Sequence, residues 1–236
     1  MEQNYQAIII DKKDLKEADR LYFIYTLEKG KIKAIGRGTK KLQAKLSSGL
    51  EKFNLARISL AKNRGIGNIT GVVVENYFSH LKNNLNNLEL AFRAAQRFNG
   101  WMDDEEPSQE IFYLWKDFLE ILNQKKLSSD KARLIYQAFL FQLLALLGYR
   151  LEVGHCVICR RKISLKNNYF SASQGGVVCD SCVAKAGNKI GIHSDSIKII
   201  RLFLTNRLTA LQKLRVAESS LRETDKILNY FIQWIE

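Results

Sequence analysis

Apolar runs rich in β-branched and aromatic side chains recur through the first 78 residues, and the run at Phe53–Lys62 alternates loosely between apolar and polar positions. Such runs are typical of strands, and turn residues at Gly30 and at 63–68 separate them. The predicted strands are Tyr5–Ile10, Arg20–Glu28, Lys31–Gly36, Phe53–Lys62 and Ile69–Tyr77. Five short strands in so short a segment fit a small closed or partly closed barrel.

Apolar residues recur at intervals of three and four beyond this segment, which indicates helices. Serines that can cap helix N-termini precede the second and third predicted helices. The third is apolar on most of its sides, so we expect it at the centre of a helical bundle. The predicted helices are His80–Trp101, a segment after Ser108, a segment from Ser128 or Ser129 to Gly148, Ser194–Val216 and Thr224–Ile235.

The change of period after residue 78 predicts a domain boundary at that point. We expect residues 1–78 to form the barrel domain and 79–236 a helical domain, with a metal-binding segment at 152–186. The predicted fold class is therefore α+β and multidomain. The single proline, Pro107, and the 14 glycines argue against long flexible linkers.

Basic residues exceed acidic residues by enough to indicate a polyanionic partner. The chain has 37 Lys and Arg against 24 Asp and Glu, a formal net charge of +13. Residues 1–80 hold 15 basic and 8 acidic side chains, residues 81–150 hold 9 of each, and residues 151–236 hold 13 and 7. The two ends are thus predicted to face the polyanion, and the neutral middle is predicted to serve as a scaffold. Nucleic acid and anionic membrane both satisfy the charge argument.

The apolar runs argue against a membrane partner. None approaches the roughly 20 residues that span a bilayer, and Ile8–Ile10 is too short for the core of a signal peptide. Arg201, Arg207 and Arg215 lie on one predicted helix, but helix packing explains its apolar side more simply than membrane binding does. We therefore expect a cytoplasmic protein, and in that compartment four cysteines are more often metal ligands than disulfides.

The four cysteines form two C-x-x-C pairs, Cys156 with Cys159 and Cys179 with Cys182, separated by 19 residues. This spacing is typical of a structural Zn²⁺ site in which four thiolates form a tetrahedron and leave no position open for water. Free thiols or a redox pair are the alternatives, although a redox C-x-x-C normally stands alone near a βαβ pattern. A zinc deaminase is excluded, since no histidine is followed two residues later by glutamate.

The strongest local concentration of charge lies between Lys29 and Arg64, where 11 basic residues accompany one acidic residue, Glu51. A solvated strand face is the simplest explanation of such lysines. The imbalance and the glycine-flanked run at 36–41 favour phosphate contacts instead. Neighbouring aromatic rings are candidates for base stacking: Tyr22, Phe23, Tyr25 and Phe53. The residues predicted to bind DNA are Lys29, Arg37, Lys40, Lys41 and Arg64.

Two other classes of function compete with DNA binding. Barrels and zinc knuckles also bind RNA, so a zinc-stabilised RNA-binding protein is the alternative. An enzyme is disfavoured because the sequence has no phosphate-cradling loop, no paired carboxylates with a plausible site and no Cys–His nucleophile signal outside the cysteine pairs. The acidic run Asp103–Glu106 is interpreted as a loop that favours the N-terminus of the following helix.

The order of several short segments resembles the RecO family of bacterial recombination mediators. The segments are Asp19–Leu21, Glu28–Lys31, Gly38–Lys41, Leu143–Tyr149, the two cysteine pairs and Gly175–Gly176. The resemblance implies an N-terminal OB-fold barrel joined to a helical domain with a zinc-binding insertion. Two positions depart from the family pattern: Arg160 stands where glycine is frequent, and Leu42 follows the lysines where proline is common.

The same resemblance implies a non-catalytic protein that binds single- and double-stranded DNA and anneals complementary strands. It also implies joint action with RecR to load RecA onto strands coated by single-strand-binding protein, at the nucleoid. Zinc is then expected to stabilise the fold without carrying the activity. These activities follow from the resemblance and not from composition.

Overall fold

The computed structural model describes residues 2–15, 17–40, 46–61, 66–164 and 167–236. The chain divides into two compact units, Met1–Leu127 and Ser128–Glu236. The first unit contains the predicted barrel together with three helices, and the second contains the remaining helices and the cysteine pairs.

The predicted five-stranded barrel is confirmed. Its strands are β1 Glu2–Asp14, β2 Arg20–Thr26, β3 Gly30–Gly36, β4 Leu55–Ala61 and β5 Gly67–Asn76. They close in the order β1-β2-β3-β5-β4, with β4 returning to β1, which is the arrangement of an OB-fold. The first strand is longer than predicted at both ends, because Glu2 already pairs with Ala61 and Asp14 still pairs with Arg20.

Alternation along the strands fills the barrel. On β3, Ile32 and Ala34 are buried in the barrel core, and Lys33 between them is exposed. The closure between β3 and β5 is short, with parallel pairs only at Ala34 with Gly67 and Ile35 with Asn68 among the described residues. The first half of β3 therefore has an edge that β5 does not cover.

Among its described residues the first unit also has three helices: α1 Ser79–Lys82, α2 Leu85–Trp101 and α3 Gln109–Leu122. The single helix predicted over His80–Trp101 is divided, because Asn84 adopts an extended conformation and its side chain accepts a hydrogen bond from the N–H of Asn87. The predicted cap at Ser108 is confirmed, since its side chain accepts from the N–H of Ile111.

The second unit is a helical bundle with a small sheet. Its helices are α4 Ser129–Leu146, α5 Ser194–Thr205, α6 Leu208–Leu211 and α7 Glu218–Ile235. α4 is buried along most of its length, as its apolar pattern predicts. The helix predicted over Ser194–Val216 is wrong as a single element, because Asn206 and Arg207 are extended and separate α5 from α6.

Around the cysteines the chain forms three strands and a 3₁₀ helix that the sequence pattern did not predict. The strands are β6 Asn168–Ser171, β7 Gly176–Cys179 and β8 Ile190–Ile192, in the order β7-β6-β8, and the 3₁₀ helix is Asp180–Lys185. In the described part of the chain, no helix combines the length and the apolar character needed to cross a membrane. The boundary at residue 78 stays a prediction about which segment folds independently.

Candidate metal centre and nucleic-acid interface

The first cysteine pair lies in a tight turn that is closed by its own backbone. The N–H of Cys156 donates to the carbonyl of Arg161 at 2.8 Å, and the N–H of Arg160 donates to the carbonyl of Cys156 at 2.9 Å. Arg160 has a φ of 62°, in the left-handed region that favours glycine. The turn is therefore kept despite the departure from glycine, at a cost in strain of roughly 1–2 kcal/mol.

The second cysteine pair ends β7 and enters the 3₁₀ helix. Backbone hydrogen bonds join this hairpin to the first turn: Val157 N–H donates to the Val177 carbonyl at 3.0 Å, and Val177 N–H donates to the Glu152 carbonyl at 2.9 Å. Gly176 is required at the junction, since a Cβ there would overlap the carbonyl of Glu152. These backbone contacts set the two turns against each other.

The four sulfur atoms converge. They all lie within 4.8 Å of one another, and Cys159 Sγ is 3.8 Å from Cys179 Sγ. All four cysteines are free, with Cys156 and Cys182 buried. A tetrahedral ion with metal–sulfur distances of about 2.3 Å separates its ligands by about 3.8 Å, so the donor set fits Zn²⁺ in both chemistry and spacing.

The surroundings of the four thiols, including the other thiols, shift their pKa values in different directions. Burial, followed by the neighbouring thiols, raises the pKa of Cys182 to about 12. The backbone N–H of Arg161 lowers the pKa of Cys159 to about 6 by donating to its thiolate. Four thiolates at this separation repel one another, so a bound cation is needed to hold all of them ionised. His193 is not part of the cluster, because its Nδ1 lies 2.6 Å from Glu223 Oε1.

The predicted DNA-binding residues that the structure describes, Lys29, Arg37 and Lys40, do not form one cluster. Lys41 and Arg64 lie outside the described residues. Lys29 directly precedes β3, whereas Arg37 and Lys40 follow it, so the length of a seven-residue strand, about 20 Å, separates the two groups. The barrel thus presents cations at both ends of β3.

Two of the predicted cations, Lys29 and Lys40, lie in ion pairs. Lys29 Nζ lies 3.1 Å from Glu105 Oε1, and Lys40 Nζ lies 3.1 Å from Asp14 Oδ2. Arg37 is exposed on the turn after β3. A phosphate that binds Lys29 or Lys40 therefore competes with a carboxylate for the ammonium.

The turn Gly36–Lys40 is held in place by hydrogen bonds. Thr39 is buried, and its hydroxyl donates to the Gly36 carbonyl at 2.9 Å. The N–H of Gly38 donates to the Asp19 carboxylate at 2.8 Å, and the N–H of Lys40 donates to the Ala18 carbonyl at 3.1 Å. Cations on this turn are preorganised, which lowers the entropic cost of a phosphate contact.

Three of the four aromatic rings proposed for base stacking are inside the protein. Tyr22, Tyr25 and Phe53 are fully buried, so the prediction is wrong for them. Phe23 is half-buried on the outer face of the barrel, with Lys13 Nζ 5.3 Å from the ring centre. Alternation on β2 explains the difference between Tyr22 and Phe23, since Phe23 lies between two inward-facing positions.

Sequence reasoning missed two lysines, Lys13 and Lys33. Both line a cavity of about 520 Å³ on the first unit, together with Lys52 and the ring of Phe92. The Lys52 ammonium lies 5.1 Å from the Phe92 ring centre. The alternation of Lys31 through Ala34 carried a signal for Lys33, because it predicts an outward lysine beside inward Ile32 and Ala34.

The acidic run Asp103–Glu106, here called the acidic segment, contacts the barrel. Asp104 Oδ2 lies 2.6 Å from Lys33 Nζ, and Asp104 Oδ1 lies 3.5 Å from Lys31 Nζ. The neighbouring lysines lower the pKa of Asp104, chiefly through the hydrogen bond from Lys33. The sequence interpretation of this segment as a helix-start loop omitted these contacts, which span about seventy residues of sequence.

Two family models match the chain. The model described as Recombination protein O N terminal matches residues 1–78, and the model described as Recombination protein O C terminal matches residues 99–235. Relatives named DNA repair protein RecO include those from Dehalococcoides mccartyi, Clostridium perfringens and Desulforamulus reducens. They are 27%, 29% and 22% identical over 98%, 96% and 97% of this chain, and the matches cover 89%, 89% and 87% of their own lengths.

Proposed function

Because the chain belongs to the RecO family of DNA repair proteins, we propose that it binds single- and double-stranded DNA through the barrel and anneals complementary strands. The observation that carries this proposal is the row of outward cations around β3 on an OB-fold. Lys29, Lys33 and Arg37 all lie on or beside this strand. A basic surface that holds two backbones lowers the repulsion between strands, which is the electrostatic requirement for annealing.

The proposed partners follow from the family role. In this proposal the protein works with RecR at the nucleoid and helps load RecA onto strands coated by single-strand-binding protein. In this proposal the protein binds DNA without catalysis, and the metal ion has a structural role, because four thiolates fill the coordination sphere of a tetrahedral ion. Purified RecR and single-strand-binding protein, added to an annealing assay with the full chain, test this role directly.

Salt dependence tests DNA binding. We expect the affinity for a single-stranded oligonucleotide to fall steeply with salt, and the exchange of Arg37 and Lys40 for Gln to reduce the log–log slope by about 0.7 per lost phosphate contact. Lys125→Gln with Lys126→Gln makes the same charge change at exposed positions after α3 and serves as the matched control. A flat salt dependence of the wild-type protein, or equal slopes for both double variants, would refute the assignment of these residues. An RNA oligonucleotide of equal sequence that competes more strongly than DNA would favour the RNA-binding alternative.

We further propose one structural Zn²⁺ ion held by Cys156, Cys159, Cys179 and Cys182. Elemental analysis of the full chain is expected to give one zinc per molecule, and Cys182→Ala is expected to remove it and destabilise the second unit. The DNA salt slope should persist in this variant, because the predicted DNA-binding residues belong to the first unit. Cys182→Ala protein that keeps its zinc and its unfolding midpoint would contradict the site.

A further inference from the structure

The acidic segment lies along the part of β3 that β5 leaves uncovered. The N–H of Glu105 donates to the Lys31 carbonyl at 2.7 Å, and Asp104 forms a parallel bridge with Lys31. Gly30 permits this approach, since a Cβ at that position would overlap the carbonyl group of Glu106. The segment is thus held against the barrel edge by backbone contacts that do not depend on its carboxylates.

Lys31 is a structural lysine in this arrangement. Its side chain is only 9% exposed, and its ammonium donates to the carbonyls of Asn99 and Met102 at the end of α2. These contacts fix the chain where it enters the acidic segment. Lys31 therefore holds the segment in place, and the more exposed lysines on either side of it have a different role.

Lys29 and Lys33 are the accessible members of the row. Their side chains are 33% and 41% exposed, and each faces a carboxylate that is itself more than 40% exposed. Exposed ion pairs contribute little to stability, typically below about 1 kcal/mol, so they exchange readily with another anion. Lys33 also borders two cavities, of about 520 Å³ and about 360 Å³.

We propose that Lys29 and Lys33 form a phosphate-binding site for single-stranded DNA that the carboxylates of Asp104 and Glu105 occupy as an internal competitor. This inference rests on the proposed DNA-binding function and adds its regulation. Carboxylate and phosphate oxygens accept the same charge-assisted hydrogen bonds from an ammonium, so one replaces the other without moving the backbone. The acidic segment then lowers DNA affinity and limits the number of phosphates held at a given salt concentration.

Neutralising the carboxylates of the acidic segment should increase both the affinity for DNA and the number of phosphates held. In the variant Asp104→Asn/Glu105→Gln the backbone contacts of the segment remain, and the negative charges that face Lys29 and Lys33 are removed. Each added contact with single-stranded DNA steepens the log–log salt slope by about 0.7, a factor of roughly 5 in affinity for each tenfold decrease in salt. We therefore expect a slope steeper by up to about 1.4 and a gain of up to about 25-fold at 0.1 M salt relative to 1 M.

The matched control is Asp103→Asn/Glu106→Gln. It makes the same change in net charge on the same segment, at exposed positions that form no ion pair with any residue the structure describes. A second control places Lys29→Gln and Lys33→Gln in the neutralised background, where the gain should disappear. Affinity for a fluorescent single-stranded oligonucleotide is measured over a salt series, and circular dichroism confirms that each variant is folded. If the double variant is unfolded, Glu105→Gln alone tests the Lys29 half, with about half of the slope change.

The outcomes separate this inference from the proposed function. A steeper slope for the Asp104/Glu105 variant alone supports the competitor. Equal slopes for the wild type, this variant and its charge-matched control overturn it while leaving DNA binding intact. A wild-type protein that binds no oligonucleotide at low salt overturns the proposed function itself.

Discussion

Lys82, the last residue of α1, provides a quantitative test of the first unit because its ammonium is partly removed from water. The ammonium donates a hydrogen bond to Asn54 Oδ1, and the Asn54 amide in turn donates to the carbonyls of Ser48 and Gly49 at 3.0 Å and 2.9 Å. Burial lowers the pKa of Lys82 from 10.5 to about 8, with Glu51 opposing the shift. The folded protein therefore binds this proton less tightly than the unfolded chain does.

The sign of the pH dependence follows from proton binding. Between pH 8 and pH 10.5 the unfolded chain still holds the Lys82 proton and the folded state has lost it, so the free energy of unfolding rises with pH in this window. A shift of this size corresponds to about 3 kcal/mol, and partial solvent access reduces the expected contribution to roughly 1–2 kcal/mol. Near the upper end of this window Tyr25, whose pKa burial raises to about 12, begins to oppose the trend, because its ordinary pKa of 10.0 lets it titrate first in the unfolded chain.

The perturbation is Lys82→Met, measured by urea unfolding between about pH 7 and about pH 10. The loss of the bond to Asn54 changes stability at every pH, but only the lysine supplies the slope. We expect the wild type to gain roughly 1–2 kcal/mol relative to the variant across this range. Tryptophan fluorescence in a Trp234→Phe background reports the first unit, because Trp101 and Trp115 then remain as emitters. Lys126→Met, at an exposed position, should follow the wild type, and parallel profiles for wild type and Lys82→Met would refute the reasoning.

Two further predictions concern packing within each unit. Gly30→Ala should destabilise the first unit by roughly 1–3 kcal/mol in urea unfolding. The reason is that φ of Gly30 is +70° and an added Cβ overlaps a backbone carbonyl of the acidic segment. Gly100→Ala is the control and should not destabilise the unit, because the space around its Cβ is open. Thr224→Val should destabilise the second unit by roughly 1–3 kcal/mol, because the Thr224 hydroxyl donates to buried Gln137 Oε1 at 2.6 Å. Exposed Thr205→Val is its control. Unfolding of both variants is monitored by the fluorescence of Trp234. An equal loss of stability in the two threonine variants would contradict the role of the buried hydrogen bond.

Local patterns were sufficient for the barrel strands and for the cysteine cluster. Strand alternation is a property of neighbouring residues, so Ile32 and Ala34 could be placed inside and Lys33 outside without knowing the fold. The C-x-x-C spacing likewise predicts a turn, and two such turns that face each other place four sulfur atoms around one metal ion. The small sheet around the cysteines was missed because strands of three or four residues carry too short a pattern.

Contacts between distant segments could not be predicted in this way. The pairing of Asp104 with Lys33 joins residues 71 positions apart, and no periodicity relates a loop before α3 to an edge of β3. Contacts between distant segments also bury Tyr25 and Phe53. The ring centre of Tyr25 lies 5.0 Å from that of Phe98 on α2, and the ring centre of Phe53 lies 5.1 Å from that of Phe92 on the same helix. Helices that cover one side of the barrel bury rings that the barrel pattern alone leaves undecided.

Contacts between distant segments also change how the number of basic residues relates to DNA binding. Residues 1–80 carry an excess of basic side chains, yet Lys12, Lys29, Lys33, Lys40 and Lys52 all lie in ion pairs. The segment that appeared to be a neutral scaffold supplies two of the carboxylates involved. A count of lysines therefore overestimates the number of counterions that DNA binding releases, and the measured salt slope should correspond to fewer phosphates than the barrel has cations. A wild-type slope equal to the full count would mean that every pair opens on binding and that the acidic segment offers DNA no competition.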